Sequence, residues 1–180
     1  MRIVMPCGIL DDDSKTPMWV NLSKAFADEY GIRASVERAQ YHFTDQERML
    51  EFRDYLVTKY DTGEPVMFVG HSMGGIIACA AAARMVRSRV IGIVTIHAPH
   101  TYVFGYFVHV LGAYVPRGIP IVSFGAREDW VVPRLFARHP RAIFHRTLPR
   151  GHHGGLIDEP RFARIIARYA KRYIRETGSS

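Results

Sequence analysis

The sequence predicts an α/β fold: a three-layer α/β/α sandwich around a doubly wound sheet of about six mostly parallel strands. Three observations predict it. Short, nearly all-apolar, β-branched runs alternate with longer amphipathic stretches. No internal repeat or low-complexity run interrupts that alternation. The 180 residues are enough for one compact domain with one core, read as a single domain over 1–180. Right-handed crossovers then restrict the topology, and ligand chemistry is expected at the C-terminal strand ends.

The elements follow in order. Arg2 to Pro6 is the first strand. Pro17 to Tyr30 is a helix, with Trp19, Leu22, Phe26 and Tyr30 on one side. Ala34 to Ala39 is the second strand. Thr44 to Tyr60 is the second helix, opened by a Thr44/Glu47 capping box. Val66 to Val69 is the third strand, and the alanine-rich stretch from Ser72 to Arg87 is helical. Val90 to Ile96, Ile119 to Phe124 and Ala142 to Leu148 supply three more strands. Asp158 to Glu176 closes the chain as a helix, with Phe162, Ile165, Ile166, Tyr169 and Tyr173 toward the core.

Composition excludes several classes. Hydrophobic content of 48% and charged content of 23% are ordinary for a globular protein, and too apolar for a disordered chain. No run of some eighteen uninterrupted apolar residues predicts a spanning helix. The N-terminus lacks a charged leader followed by an apolar region, so the expectation is cytoplasmic, unless a leader is missing from this sequence. Cys7 and Cys79 fall in different elements and are expected to be free thiols. The net charge of +7 comes partly from Arg161, Arg164, Arg168, Arg172 and Arg175, on one face of the last helix. Their bland reading is a solvated face; the sharper one is a patch that attracts anionic lipid, weakly at a membrane surface, or nucleic acid. No interleaving of aromatic and basic residues marks a nucleic-acid module, so no nucleic acid is expected.

The chemistry-bearing motif is Gly70-His71-Ser72-Met73-Gly74-Gly75, strand before and helix after. A nucleophile on a sharp strained turn requires small residues where backbones crowd, which Gly70 and Gly74 supply. The following helix directs its N-terminus at the site, where negative charge develops. A serine hydroxyl needs a base, and the base needs a carboxylate to orient it. Asp129, after the fifth strand, is the candidate acid, with Glu128 as the neighbour that could replace it. His152 and His153, after the sixth strand, are the candidate bases. A paired histidine is also a metal-ligand candidate, but no convincing third ligand accompanies it. The pattern therefore calls for no metal and no cofactor. An oxyanion hole would use the Met73 amide and one from Cys7-Gly8-Ile9-Leu10, with Ile9 first and Gly8 second.

These residues carry a resemblance. The chain resembles the α/β-hydrolase superfamily, and within it the minimal bacterial lipases and esterases that lack a large cap. Pro6-Cys7-Gly8-Ile9 stands where those enzymes have a His-Gly-Ile turn. Trp19 and Leu22 fall where their first helix often carries Trp and Leu. The elbow around Ser72 matches throughout. Ala98-Pro99-His100 resembles their Thr-Pro-His, and Asp129-Trp130-Val131-Val132-Pro133 their Asp-x-Val-Val-Pro. His153-Gly154-Gly155-Leu156-Ile157 is similar to their His-x-Gly-Leu-Leu, which favours His153 over His152. The resemblance implies a reduced α/β-hydrolase fold with strand order 2-1-3-4-5-6. It also implies a triad of Ser72, Asp129 and one of the two histidines, with Ile9 and Met73 as the oxyanion hole. Cys7 departs from the family's histidine, and the acidic run Asp11-Asp12-Asp13 is unusual.

Residues 99–118 lie where the superfamily inserts caps. They carry Phe104 and Phe107, candidate substrate-binding residues together with His100. Such a segment could be a short lid or acyl-pocket wall, a helix packed on the core, or a dimer contact. The expected activity is carboxylic ester hydrolysis of a small-molecule ester of medium acyl chain, by a monomer or dimer. Thioesterase, acyltransferase and amidase chemistry on the same triad are the enzymatic rivals. A non-catalytic binding protein that kept the fold is the rival of another class, and an anionic-surface binder using the basic helix is the third.

Overall fold

The computed structural model describes residues 1–8, 16–42, 44–100, 105–149, 152–153 and 159–174. The six strands are β1 (Arg2–Pro6), β2 (Ala34–Glu37), β3 (Val66–His71), β4 (Val90–Ile96), β5 (Ile121–Ala126) and β6 (Phe144–Leu148). They form one sheet in the order β2-β1-β3-β4-β5-β6, and every neighbouring pair is parallel. The helices are α1 (Thr16–Tyr30), α2 (Gln46–Tyr60), α3 (Met73–Ala82), α4 (Gly105–Val110) and α5 (Pro160–Tyr173).

Strand side chains alternate between two cores because successive Cβ atoms point to opposite faces. Ile3 and Met5 join Trp19, Leu22 and Phe26 of α1 and Phe162, Ile166 and Ala170 of α5 on one face. Val4 and Phe68 join Met49, Phe52 and Leu56 of α2 and the alanine-rich α3 on the other. A register shift between Val66 and Met67 lets Ile91 and Gly92 of β4 turn to the same side. A Cβ on Gly92 would stand 2.5 Å from the Ile174 side chain, so the glycine leaves room for the end of α5.

Several element ends differ from the sequence reading. Asp45, not Thr44, caps α2: its carboxylate accepts from the Arg48 amide at 3.1 Å. The third helix stops at Ala82 instead of Arg87. Beyond it the Asp61 carboxylate accepts the amides of Val86, Arg87 and Ser88, at 3.1, 2.8 and 2.5 Å, which draws that backbone out of a helical ladder. β5 begins two residues late because Pro120 has no N–H to give, although its carbonyl accepts from Ile93 at 2.9 Å. β6 begins at Phe144, after a turn in which the Ala142 amide donates to His139 at 3.0 Å. The third strand runs on to His71, which brings the strand end to Ser72. β2 ends at Glu37 rather than Ala39.

Cys7 and Cys79 are both buried, and neither is in a disulfide. Arg161, Arg164, Arg168 and Arg172 lie exposed along α5, opposite its buried face. Arg161 pairs with Glu159 at 2.6 Å and Arg168 with Glu29 at 3.2 Å. Arg175 lies outside the described residues. No helix among the described residues is long and apolar enough to cross a membrane.

Candidate active site

The site is assembled from consecutive strand ends. Ser72 follows β3 directly, at φ 55° and ψ −132°, a conformation L-residues avoid. Its amide donates to the Ile96 carbonyl at the end of β4 at 2.8 Å, which holds the turn against the neighbouring strand. The turn tolerates no Cβ at its flanks: one on Gly70 would run into the Gly74 carbonyl, and one on Gly74 into that of Pro6. Met73 is the first residue of α3, where helix geometry leaves the amide without an intrahelical acceptor.

Ser72, His153 and Asp129 stand in one hydrogen-bonded line. The Ser72 hydroxyl donates to His153 Nε2 at 2.8 Å. His153 Nδ1–H donates to Asp129 Oδ2 at 2.9 Å. Asp129 Oδ1 accepts from the amides of Val131 and Val132 at 2.9 and 2.8 Å. The carboxylate is therefore fixed from both sides and is only 5% exposed. Burial alone would raise its pKa. The His153 and His97 imidazoles and the Val132 amide outweigh that and hold it well below the usual carboxylate range.

The alternatives differ in burial. Glu128 and His152 are exposed, while Asp129 is buried and His153 half-buried. Gly8 lies against the elbow: a Cβ there would fall 3.0 Å from Ser72 Cβ and 2.9 Å from the His71 carbonyl oxygen. The Cys7 carbonyl accepts from Tyr41 Oη at 2.9 Å, which anchors the backbone beside Gly8. Ile9 lies outside the described residues, as do Phe104 and Asp11 to Asp13. Phe107 is half-buried on the core beneath α2 and α3. His100 is buried edge-on against His139, ring centres 4.7 Å apart, beside a cavity of about 220 Å³ that both histidines line.

Two histidines that the sequence reading did not single out complete the site. His71 Nε2–H donates to the His153 backbone carbonyl at 2.7 Å. His97 Nδ1 reaches the same carbonyl at 3.0 Å and Asp129 Oδ2 at 3.1 Å. The available signal was a histidine directly after the fourth strand, at a strand end where ligand chemistry was expected.

Two clusters among the described residues bring three metal-donor atoms within 4.8 Å: His71, His97 and His153, and Cys79, His100 and His139. In the first, His153 uses both ring nitrogens in the hydrogen-bonded line, and His71 and His97 each commit one to its carbonyl. In the second, His139 Nδ1 accepts from the Arg141 amide at 3.1 Å. A neutral imidazole that accepts there carries its proton on Nε2, which blocks the nitrogen left for a metal.

No curated protein matches the chain. Among solved structures it is similar to the ydeN gene product of B. subtilis, at 14% identity and TM-score 0.64, covering 96% of this chain and 98% of that one. It is similar to a structure from work on LipS and LipT, two metagenome-derived lipolytic enzymes, at 17% identity and TM-score 0.64, covering 97% and 94%. It is also similar to an esterase of Pyrobaculum calidifontis, at 14% identity and TM-score 0.59, covering 95% and 76%. At such identities the likeness speaks to the fold. A sequence model of the alpha/beta hydrolase family matches residues 18–177, a span running from α1 through the Ser72 elbow and Asp129 to the last helix. With the sheet order β2-β1-β3-β4-β5-β6 and a strained serine between its third strand and third helix, the chain belongs to the α/β-hydrolase family.

Proposed function

We propose that the chain is a serine carboxylic ester hydrolase acting through an acyl-enzyme on Ser72. The observation that carries this reading is the line from Ser72 Oγ through His153 to Asp129, with both hydrogen bonds under 3 Å. His153 Nε2 takes the hydroxyl proton as Oγ attacks the ester carbonyl carbon. The tetrahedral oxyanion is held by the Met73 amide and an amide of the Cys7–Leu10 loop, from Ile9 or Gly8. His153 then gives the proton to the departing alcohol, leaving the acyl group on Ser72. Water, deprotonated by the same imidazole, attacks the acyl carbon and releases the acid and free Ser72. Asp129 keeps the His153 tautomer and stabilises the imidazolium that forms at each step.

The substrate in this reading is a small ester of medium acyl chain, with Phe104, Phe107 and His100 as the candidate residues that bind it. Each CH₂ buried against apolar side chains adds ~0.8 kcal/mol. The reaction needs no cofactor. A panel of p-nitrophenyl esters from acetate to palmitate, with Ser72→Ala as the blank, tests the reading. Hydrolysis that peaks at medium chains and falls about 10⁴-fold or more in the variant supports it. Turnover that survives in Ser72→Ala contradicts it. A protein that cleaves thioesters or amides, yet no ester, through Ser72 would reassign the leaving group and keep the nucleophile.

A further inference from the structure

His97 holds a backbone conformation that side chains avoid, and the reaction above gives it no task. It sits directly after β4 at φ 51°, and it is fully buried. Its amide donates to the Phe124 carbonyl at 2.8 Å, so the residue is tied into the strand ends around the site. A glycine would occupy this conformation without steric cost. The imidazole also brings Nε2 into the interior with no hydrogen-bond partner among the described residues. A side chain retained against both costs is expected to do something with its other end.

That other end is Nδ1. It lies 3.1 Å from Asp129 Oδ2 and 3.0 Å from the His153 carbonyl oxygen. Both partners are acceptors, so Nδ1 carries the proton and divides it between them. Asp129 Oδ2 is also the atom that receives His153 Nδ1–H. His97 thus meets residue 153 twice: through its main chain directly, and through its side chain by way of the shared carboxylate. Few degrees of freedom remain for the His153 ring. It can neither turn about its side-chain bonds without leaving Asp129 nor shift its backbone without leaving His97.

We propose that His97 is a positioning residue for His153, holding the Asp129 carboxylate and the His153 main chain in register with Ser72. The proposal rests on the catalytic reading of Ser72, His153 and Asp129.

Two substitutions test it. His97→Gly suits the left-handed backbone and removes the donor. His97→Asn tolerates the same backbone and keeps an N–H donor attached at Cγ, where Nδ1 is attached in histidine. The expected result is a kcat lowered by about 10- to 100-fold in the glycine variant, with KM and Tm at or near wild type. Most of kcat should return in the asparagine variant. A second readout does not need turnover: ¹⁵N NMR of labelled histidine, with the His153 signals identified by their loss in His153→Ala. His153 should be locked with its proton on Nδ1 in wild type and His97→Asn, and become a mixture of tautomers in His97→Gly. Wild-type kcat in His97→Gly overturns the proposal, as does an unchanged His153 tautomer there. So does an asparagine variant as impaired as the glycine one, or a kcat that falls only as Tm falls. If hydrolysis survives in Ser72→Ala, the hydrolase reading fails, and the NMR comparison still decides what His97 does to His153.

Discussion

At the residue scale, Asp129 is where burial and hydrogen bonding oppose each other most directly. Desolvation pushes a buried carboxyl toward neutrality, yet His153, His97 and two loop amides all donate to this one. The donors win, so the group enters the neutral range as an anion able to hold an imidazolium. Asn in its place keeps the shape, removes the charge and can support the wrong tautomer. Asp129→Asn should therefore cut kcat by about 10³- to 10⁴-fold. Glu128 is exposed and its neighbour is not, so Glu128→Gln should leave turnover near wild type. Steady-state kinetics of the two variants check the assignment. A Glu128→Gln enzyme more impaired than Asp129→Asn would move the acid by one residue.

At the scale of elements, α4 is the piece whose purpose is least visible in its contacts. Its Phe107 packs on the core under α2 and α3, while Tyr106 is 55% exposed and accepts from Gln46 Nε2 at 2.9 Å. Docking of this kind suits a wall that holds its place beside an acyl chain. Phe107→Ala should raise KM for the longer esters by about tenfold and leave acetate esters nearly unchanged, with a Tm lowered by the lost packing. An unchanged chain-length profile with a lower Tm would give the residue to the core alone.

The strands were legible because apolar β-branched runs between amphipathic helices have few other uses, and β1 and β4 begin and end where the pattern says. Ends set by side chains from elsewhere were not. Asp61 ends its own helix yet also captures the amides after α3, so a local alanine-rich pattern overran by five residues. The Ser72 elbow was legible because its strain demands Gly70 and Gly74 at fixed offsets. His97 was not, because its partners Asp129 and His153 lie on other strand ends. Only the fold shows that His97 meets them.

At the scale of the whole molecule, acid should undo the fold in two stages. Burial drives His100 well below its ordinary range and holds His139 down to about 4; it also lowers His145. The unfolded chain takes up these protons below about pH 6.5 while the native protein refuses them, so stability declines as pH falls from there. Asp129, Glu37 and Asp61 have carboxyls lowered by their donors against the opposing effect of burial. Their contribution is complete above about pH 4 and is lost as pH falls toward their folded values. Tm measured from about pH 7 to 3 should therefore begin falling near 6.5 rather than near 4, and His139→Gln should flatten the upper part. A Tm constant down to about pH 5 would contradict the buried neutral histidines. The central claim, that this sheet exists to present Ser72 to His153, is tested most directly by intact-mass analysis after a fluorophosphonate. Wild type and His152→Ala should each gain one adduct, located on Ser72, while Ser72→Ala gains none and His153→Ala gains it slower by orders of magnitude. Labelling of Ser72→Ala at the wild-type rate, or labelling that depends on His152 and not on His153, would contradict the account.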